Sequence, residues 1–495
     1  MKLLLGLEEV QPDKPDNKGK TPLSYAAHTG FVEGVQMLIR REEVNSDRPD
    51  NKGITPLSYA AEEGHEGVAK ILLRLEAVDP ERRDSDGRTP LSHAAANPHG
   101  SVAAGGVAKL LLGREEANPG KPDNEGRTPI SYAAGCRYGS APSEGVVKLL
   151  LGREDVNSDK PDNKGRTPLS HAASGGESYI PSDRLEGVVR ILLGREEVNL
   201  EKPDNDGRTP LSHAAWNGNV RVVEILLLRE EVDPDKPDND GQTPLSHAAE
   251  NPYVYAKTER VVEALLAREE VNSDLPDNVG RTPLSHAARG GHEGVVEILL
   301  GQGEVNPDKP NNRGRTPLSY ASRGGYPYQT EAYMRVVKML LGREEVIPDK
   351  PDDDGRTPLS YAAGHQFEGV AEILLGQREV NPNKPDNRGR TPLWYYSGGS
   401  CWHVTEEYMK LFLGREEVNP DKPDNEGGTP ISHAARCPYG CSATAEGVVK
   451  LLLGREEVHA DKPDNDGQTP LSHAAGNGNE EVVGSLLGRE EVSSD

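Results

Sequence analysis

Several strings in this chain have residue types and spacings that could do chemistry. Asp235–Gly241, DKPDNDG, has the carboxylate density of a calcium loop, but its ligand positions before the glycine are Lys236, Asp238 and Asp240. A lysine at the first position is incompatible with a hard cation held by oxygen, so a turn is the better reading. Gly19–Pro22, GKTP, ends like a phosphate loop, yet Lys14 stands where the first glycine belongs. A recurring column of His or Tyr (Tyr25, Tyr59, His93, Tyr132, His171 and onward) suggests metal. Packed helices lie about 8–10 Å apart, too far for one ion to bridge rings at its ~2 Å bond length; a packed ladder at the repeat junctions is expected instead. Cys437 and Cys441 in CPYGC have only His433 as an evident companion ligand, so free thiols are expected. Four cysteines make no disulfide framework for so long a chain.

The elements that position these residues repeat. Thr-Pro-Leu or Thr-Pro-Ile begins at Thr21, Thr55, Thr89, Thr128, Thr167, Thr209, Thr243, Thr282, Thr316, Thr357, Thr391, Thr429 and Thr469. The basic spacing is 34 residues, lengthened in places, which is a solenoid period. Repeat 6 reads plainly. Lys202–Pro210, KPDNDGRTP, is a turn in which Gly207 supplies positive φ. Thr209 is an N-cap with Pro210 at the first helical position. Leu211–Ala215 makes a short helix whose paired alanines admit a close neighbour. Asn217–Asn219 turns the chain, and Val220–Leu227 makes a second helix with apolar residues at helical spacing.

A residue fixed by the repeat occurs about a dozen times, whereas an active site is a unique constellation. We therefore expect no catalysis, cofactor or metal.

The pattern D-x-x-G-x-T-P-L, two alanines, a G-H or G-N turn and V-V-x-I-L-L resembles the ankyrin repeat over residues 1–495. The resemblance implies an all-α solenoid of helix–turn–helix units with hairpin-like loops, in one domain of 13 repeats. Met1–Val10 matches VKLLLGREEV at Val449–Val458 with two substitutions. Residues 1–14 therefore read as a half repeat without a partner helix or polar cap, whose exposed end should self-associate. Three departures stand out. Ser replaces the His that ankyrin repeats usually carry after Thr-Pro-Leu (Trp394 in repeat 11), the REEVNPDKPDN linker is longer than usual, and Asn311 replaces Asp in repeat 9. Near-identical repeats resemble the ankyrin arrays of filamentous fungi, of the NOD-like receptor type. This implies the ligand-sensing array of a larger signalling receptor.

Repeats 3, 4, 5, 7, 9, 11 and 12 carry insertions of 5, 5, 8, 5, 7, 4 and 6 residues between the alanines and the second helix. These should form a ridge along one edge. Tyr138, Tyr179, Tyr253, Tyr255, Tyr326, Tyr328, Tyr333, Tyr408, Tyr439 and Trp402 lie in or against them, as do Cys136, Cys401, Cys437 and Cys441. Tyrosine gives rigid amphipathic contact area at low entropy cost, so these aromatics other than Tyr408, with Trp216, are the candidate partner-binding residues. The alternative is that the rings fold back over their own loops. The hairpin tips barely vary and should not decide specificity. In repeat 11, Tyr396 and Ser397 replace the alanines, predicting a local stability minimum or bend from overpacking.

Bulk composition narrows the partner. The net charge of −24 disfavours nucleic acid, which is bound through Lys and Arg, and anionic membrane surfaces. No stretch approaches 18 consecutive apolar residues, so nothing spans a bilayer. The expectation is a soluble, cytoplasmic protein-binding scaffold whose partner is a protein or peptide. The alternative is a structural spacer whose insertions are drift.

Overall fold

Each repeat starts on its threonine. In repeat 6, Thr209 Oγ1 accepts the backbone N–H of Ser212 at 3.2 Å and lies 3.1 Å from the Ser212 hydroxyl. Pro210 follows as the first helical residue, where its missing N–H costs nothing. The serine that departs from the ankyrin pattern thus completes a buried two-hydroxyl cap. Repeat 11 keeps the backbone half of this cap, Thr391 accepting from Trp394 N–H.

The computed structural model of the protein describes residues 11–97, 102–135, 143–175, 182–251, 255–324, 330–398, 406–436 and 442–488. Among them are 26 helices, two per repeat, and no strand. Contacts group the chain into two compact units, Met1–Val271 and Asn272–Asp495, and the same local plan builds each.

Within a unit, first helices pack on first helices and second on second. Leu211, Ala214, Ala215, Val223 and Leu226 of repeat 6 are buried together. The alanines let the neighbouring helix close in, and the leucines and valines of the second helix fill the layer behind. Ahead of each first helix, the turns are stitched together. Asn239 donates its backbone N–H to Asp206 O and its side-chain amide to Asn205 O, both at 2.9 Å. Gly207 lies directly beneath with φ +84°, and a Cβ there would sit 2.6 Å from Asn239 N. Glycine is required twice over, by the left-handed backbone and by the contact.

The long linker also has a structural use. Arg153 Nη1 donates to Leu112 O at 3.2 Å and Arg343 Nη2 to Leu300 O at 2.7 Å, covering the open C-terminal carbonyls of the preceding second helix. Lys202 Nζ reaches Asp159 O and Oδ2 of the preceding linker at 2.8 and 2.7 Å.

The insertions are only partly turns. Plain repeats have second helices of seven or eight residues, such as Glu293–Leu300. In repeats 3, 5, 7, 9 and 12 these helices run Val102–Leu112, Ser182–Leu193, Tyr255–Leu266, Thr330–Leu341 and Ser442–Leu453. About one added turn extends each at its N-terminus. Repeat 4 differs because Ser143 Oγ accepts Val146 N–H at 3.4 Å and starts its helix at Glu144.

Repeat 11 accommodates its bulky residues by stacking. Tyr396 is wholly buried against the Phe412 ring, centroids 6.1 Å apart. Trp394 lies flat on His433 at 3.7 Å.

Candidate partner-binding surface

The aspartate five residues before each threonine has fixed duties. Asp50 Oδ1 accepts the N–H groups of Lys52 and Ile54 at 2.8 and 2.9 Å, and its Oδ2 accepts the Tyr59 hydroxyl at 2.6 Å. Asp238 does the same with Asp240, Gln242 and His247 Nε2, each at 2.9 Å. Burial pushes the Asp238 carboxyl up, but the His247 bond and the backbone donors outweigh it and hold it below the usual range. Burial and the Asp50 bond push Tyr59 well above the normal phenol range. The column is thus committed to its own scaffold: the Asp238 carboxylate stays ionised, Tyr59 stays protonated, and both are occupied. Among the described residues no group of three or more His, Cys, Asp or Glu could hold a metal ion.

Arginines before the threonine join this network. Arg127 pairs with Asp123 at 3.0 Å and lies 4.8 Å from the centre of the Tyr132 ring. Arg390 pairs with Asp386 at 2.6 Å and lies 4.9 Å from Tyr395. Guanidinium, ring and carboxylate together make a polar stripe beside the first helices.

What varies on this face is the residue just after the alanine pair. It is Glu62 in repeat 2, Trp216 in repeat 6, Arg289 in repeat 8 and Gly364 in repeat 10. Three consecutive repeats carry the small residues Ala96, Gly135 and Ser174, and they leave a cavity of about 350 Å³. Arg127, Tyr132, Lys164, Arg166 and His171 also line it. Trp216 holds the same position in the next repeat and is 38% exposed, with its edge toward His247 at 5.9 Å. Sequence reasoning that searched the insertions picked out Trp216 but not the column to which it belongs. The signal was there, as variation at one register position between fixed neighbours.

Of the aromatic candidates, Tyr138, Tyr179, Tyr253, Tyr326, Tyr328, Trp402 and Tyr439 lie outside the described residues, as do the four cysteines and Met1–Val10. Tyr255 begins the second helix of repeat 7. Tyr333 is a correction: it is 1% exposed and is no surface residue. Its hydroxyl donates to Arg289 O at 3.0 Å, and its ring meets Phe367 edge-on at 5.4 Å. Its register explains this. Tyr333 occupies the position held by His65 in repeat 2 and Asn219 in repeat 6. His65 Nε2 lies 3.0 Å from His28 O, and Asn219 Nδ2 donates to Ala173 O at 2.7 Å, each reaching the end of the preceding first helix. Because the second helix grew at its N-terminus, this scaffold position reads in sequence as part of the insertion.

A family model described as ankyrin repeats (3 copies) matches residues 1–84, 46–104, 101–181, 136–238, 181–255, 253–330 and 400–495. A second, for the single ankyrin repeat, matches residues 354–387. Comparison with curated proteins found no match. Among the described residues no helix is long and apolar enough to cross a membrane. Ankyrin repeats are typically a non-enzymatic scaffold for protein–protein interaction, and the repeat geometry and matched residues agree: this chain belongs to the ankyrin-repeat family.

Proposed function

We propose that the chain is a non-catalytic protein-binding array that reads its partner at its departures from the repeat. These are the insertions of repeats 3, 4, 5, 7, 9, 11 and 12, which carry Tyr or Trp in all but repeat 3, and the variable column that includes Trp216. One observation carries the reading. The repeated polar side chains are consumed by the scaffold itself, as with Asp238, His247, Thr209 and Asn239, so only the departures are left to discriminate. The near identity of the repeats supports a role as the ligand-sensing array of a larger signalling receptor.

The test removes residues 326–332 from repeat 9, and five residues ending at Lys257 from repeat 7. Both deletions keep the scaffold positions Tyr333 and Thr258. The shortened protein should retain its helical circular dichroism. Aromatic hot spots are often worth 2 kcal/mol or more, so partner affinity should fall by roughly tenfold or more for each one lost. Unchanged binding by a folded, shortened protein would make the insertions ornament and move recognition to another face of the array.

A further inference from the structure

The capping aspartate is replaced in a single repeat, the ninth, by Asn311. The asparagine keeps the first duty: Oδ1 accepts the N–H groups of Arg313 and Arg315 at 2.9 and 3.0 Å. Those two donors fix the amide's orientation, because Nδ2 cannot face them. Nδ2 therefore points at Tyr320 and donates to its hydroxyl oxygen at 2.8 Å. In repeats 1, 2 and 11 the equivalent hydroxyls donate to Asp16, Asp50 and Asp386 at 2.8, 2.6 and 2.6 Å. Tyr320 accepts instead, so its proton is no longer used by the turn, and it has no acceptor among the described residues. Asn311 and Tyr320 are each 9% exposed.

The substitution also removes a negative charge where positive charge is densest. Between Asn311 and Gly324 stand Arg313, Arg315 and Arg323, with no acid. In the same stretch of repeat 8 the only acid is Asp277, which His286 and Arg281 hold at 3.1 and 2.8 Å. Arg315 has no carboxylate in its own repeat and leans to Asp352 of the next at 3.3 Å. Burial raises the Tyr320 pKa while the charges of Arg281, Arg315 and Arg289 pull it back, so all three guanidiniums are felt at the hydroxyl. On a chain of net charge −24, this junction is a local reversal of sign. A donor hydroxyl among guanidiniums is the usual equipment for binding an oxyanion.

We propose that the junction of repeats 8 and 9 is a carboxylate-binding subsite. In it, the Tyr320 hydroxyl with Arg281 and Arg315 receives an Asp or Glu side chain from an acidic segment of a partner protein. The proposal rests on the reading of the chain as a protein-binding array but needs none of the insertions.

The deciding variant is Asn311→Asp, which restores the residue that the other 12 repeats carry and so leaves the fold intact. It returns Tyr320 to donating inward and restores the missing charge. The probe is a fluorescein-labelled ten-residue glutamate-rich peptide, titrated with the full chain by anisotropy at low salt. Asn311→Asp should weaken binding about tenfold and Tyr320→Phe several-fold. Leu228→Glu adds an equal charge at an exposed site in repeat 6, outside the two repeats that form the subsite, and should change nothing. The proposal is overturned if Asn311→Asp and Tyr320→Phe bind as the parent does, or if Leu228→Glu weakens binding equally. It is also overturned if only a phosphorylated peptide of equal charge responds to Asn311→Asp. Shortening the insertions should leave the peptide affinity unmoved, so the two readings fail independently.

Discussion

Asp238→Asn and Asp50→Asn remove the same charge from two nearly identical turns, and the structure gives them different costs. In both, Asn Oδ1 can keep the two backbone N–H bonds, as Asn311 does. Each variant exchanges a bond to an ionised carboxylate for a neutral one, a loss of about 1 kcal/mol. In repeat 2 the cost stays near that, because the Tyr59 hydroxyl oxygen can accept from the new amide and keep a partner, while its freed O–H can rotate to another direction, as a ring N–H cannot. In repeat 7 the partner is His247. Its Nε2 must give up its proton to accept from the new amide, which moves the proton to Nδ1. That nitrogen is buried with no hydrogen-bond partner among the described residues. A stranded buried donor costs about 1–3 kcal/mol more, bringing the total to about 2–4 kcal/mol. Rotating the amide instead would aim Nδ2 at two N–H groups, which is worse. A repeat array does not unfold as one two-state body, and each repeat couples mainly to its neighbours. Hydrogen exchange is therefore the assay. Amides of residues 240–248 in Asp238→Asn should exchange faster by a factor on the order of 100, and those of residues 52–60 in Asp50→Asn by only about fivefold. Equal acceleration in the two variants, or a larger effect in Asp50→Asn, would refute the reasoning.

Three further outcomes are expected. Tyr333→Phe should cost about 1 kcal/mol in urea unfolding, through its lost bond to Arg289 O, and leave partner affinity unchanged; a loss of affinity without loss of stability would return Tyr333 to the binding surface. His433 is pushed down to about 4 by burial, with Arg436 and Arg390 adding to it. A histidine depressed in the folded state contributes stability above its unfolded pKa, near 6.5, and loses it as pH falls toward 4, here about 3 kcal/mol. Repeat 12 should therefore loosen across pH 6.5–4, seen as a change in Trp394 emission that His433→Phe abolishes. Finally, repeat 11 should exchange its amides faster than repeat 8, since Trp394 Nε1 is buried with no hydrogen-bond partner among the described residues; equal protection would contradict this.

Much of the fold was legible because the repeat displays its mechanism. Thr209, Pro210 and Gly207 each have a local physical reason that needs no knowledge of neighbours, and the helices begin where those reasons place them. What escaped was whatever depends on register across repeats. Tyr333 lies beside an insertion in sequence, yet it belongs to the column of His65 and Asn219 once the second helix has lengthened. The use of the linker's Arg153 depends on the open carbonyl of Leu112, 41 positions earlier, which stands opposite it only in the fold. The cavity at Ala96, Gly135 and Ser174 exists only when three small residues, about 39 positions apart, are stacked. Asn311 was visible as an exception, but its consequence needed the hydroxyl of Tyr320 in place.

The stitching between turns has a direction. The amide of Asn239 reaches back to repeat 6, Arg153 and Lys202 reach back to the repeats before theirs, and Asn425 reaches back to Asn387 in the same way. Each repeat therefore offers one kind of edge to its predecessor and the complementary edge to its successor, like a brick with a tongue and a groove. Within such a course, a copy slipped in or lost by unequal exchange between near-identical stretches of the gene makes no new kind of seam. The number of bricks, and the order in which unusual ones such as the ninth fall, can be reshuffled without any joint having to be redesigned. Diversity of recognition is then available through rearrangement, at a rate that point substitution alone does not set.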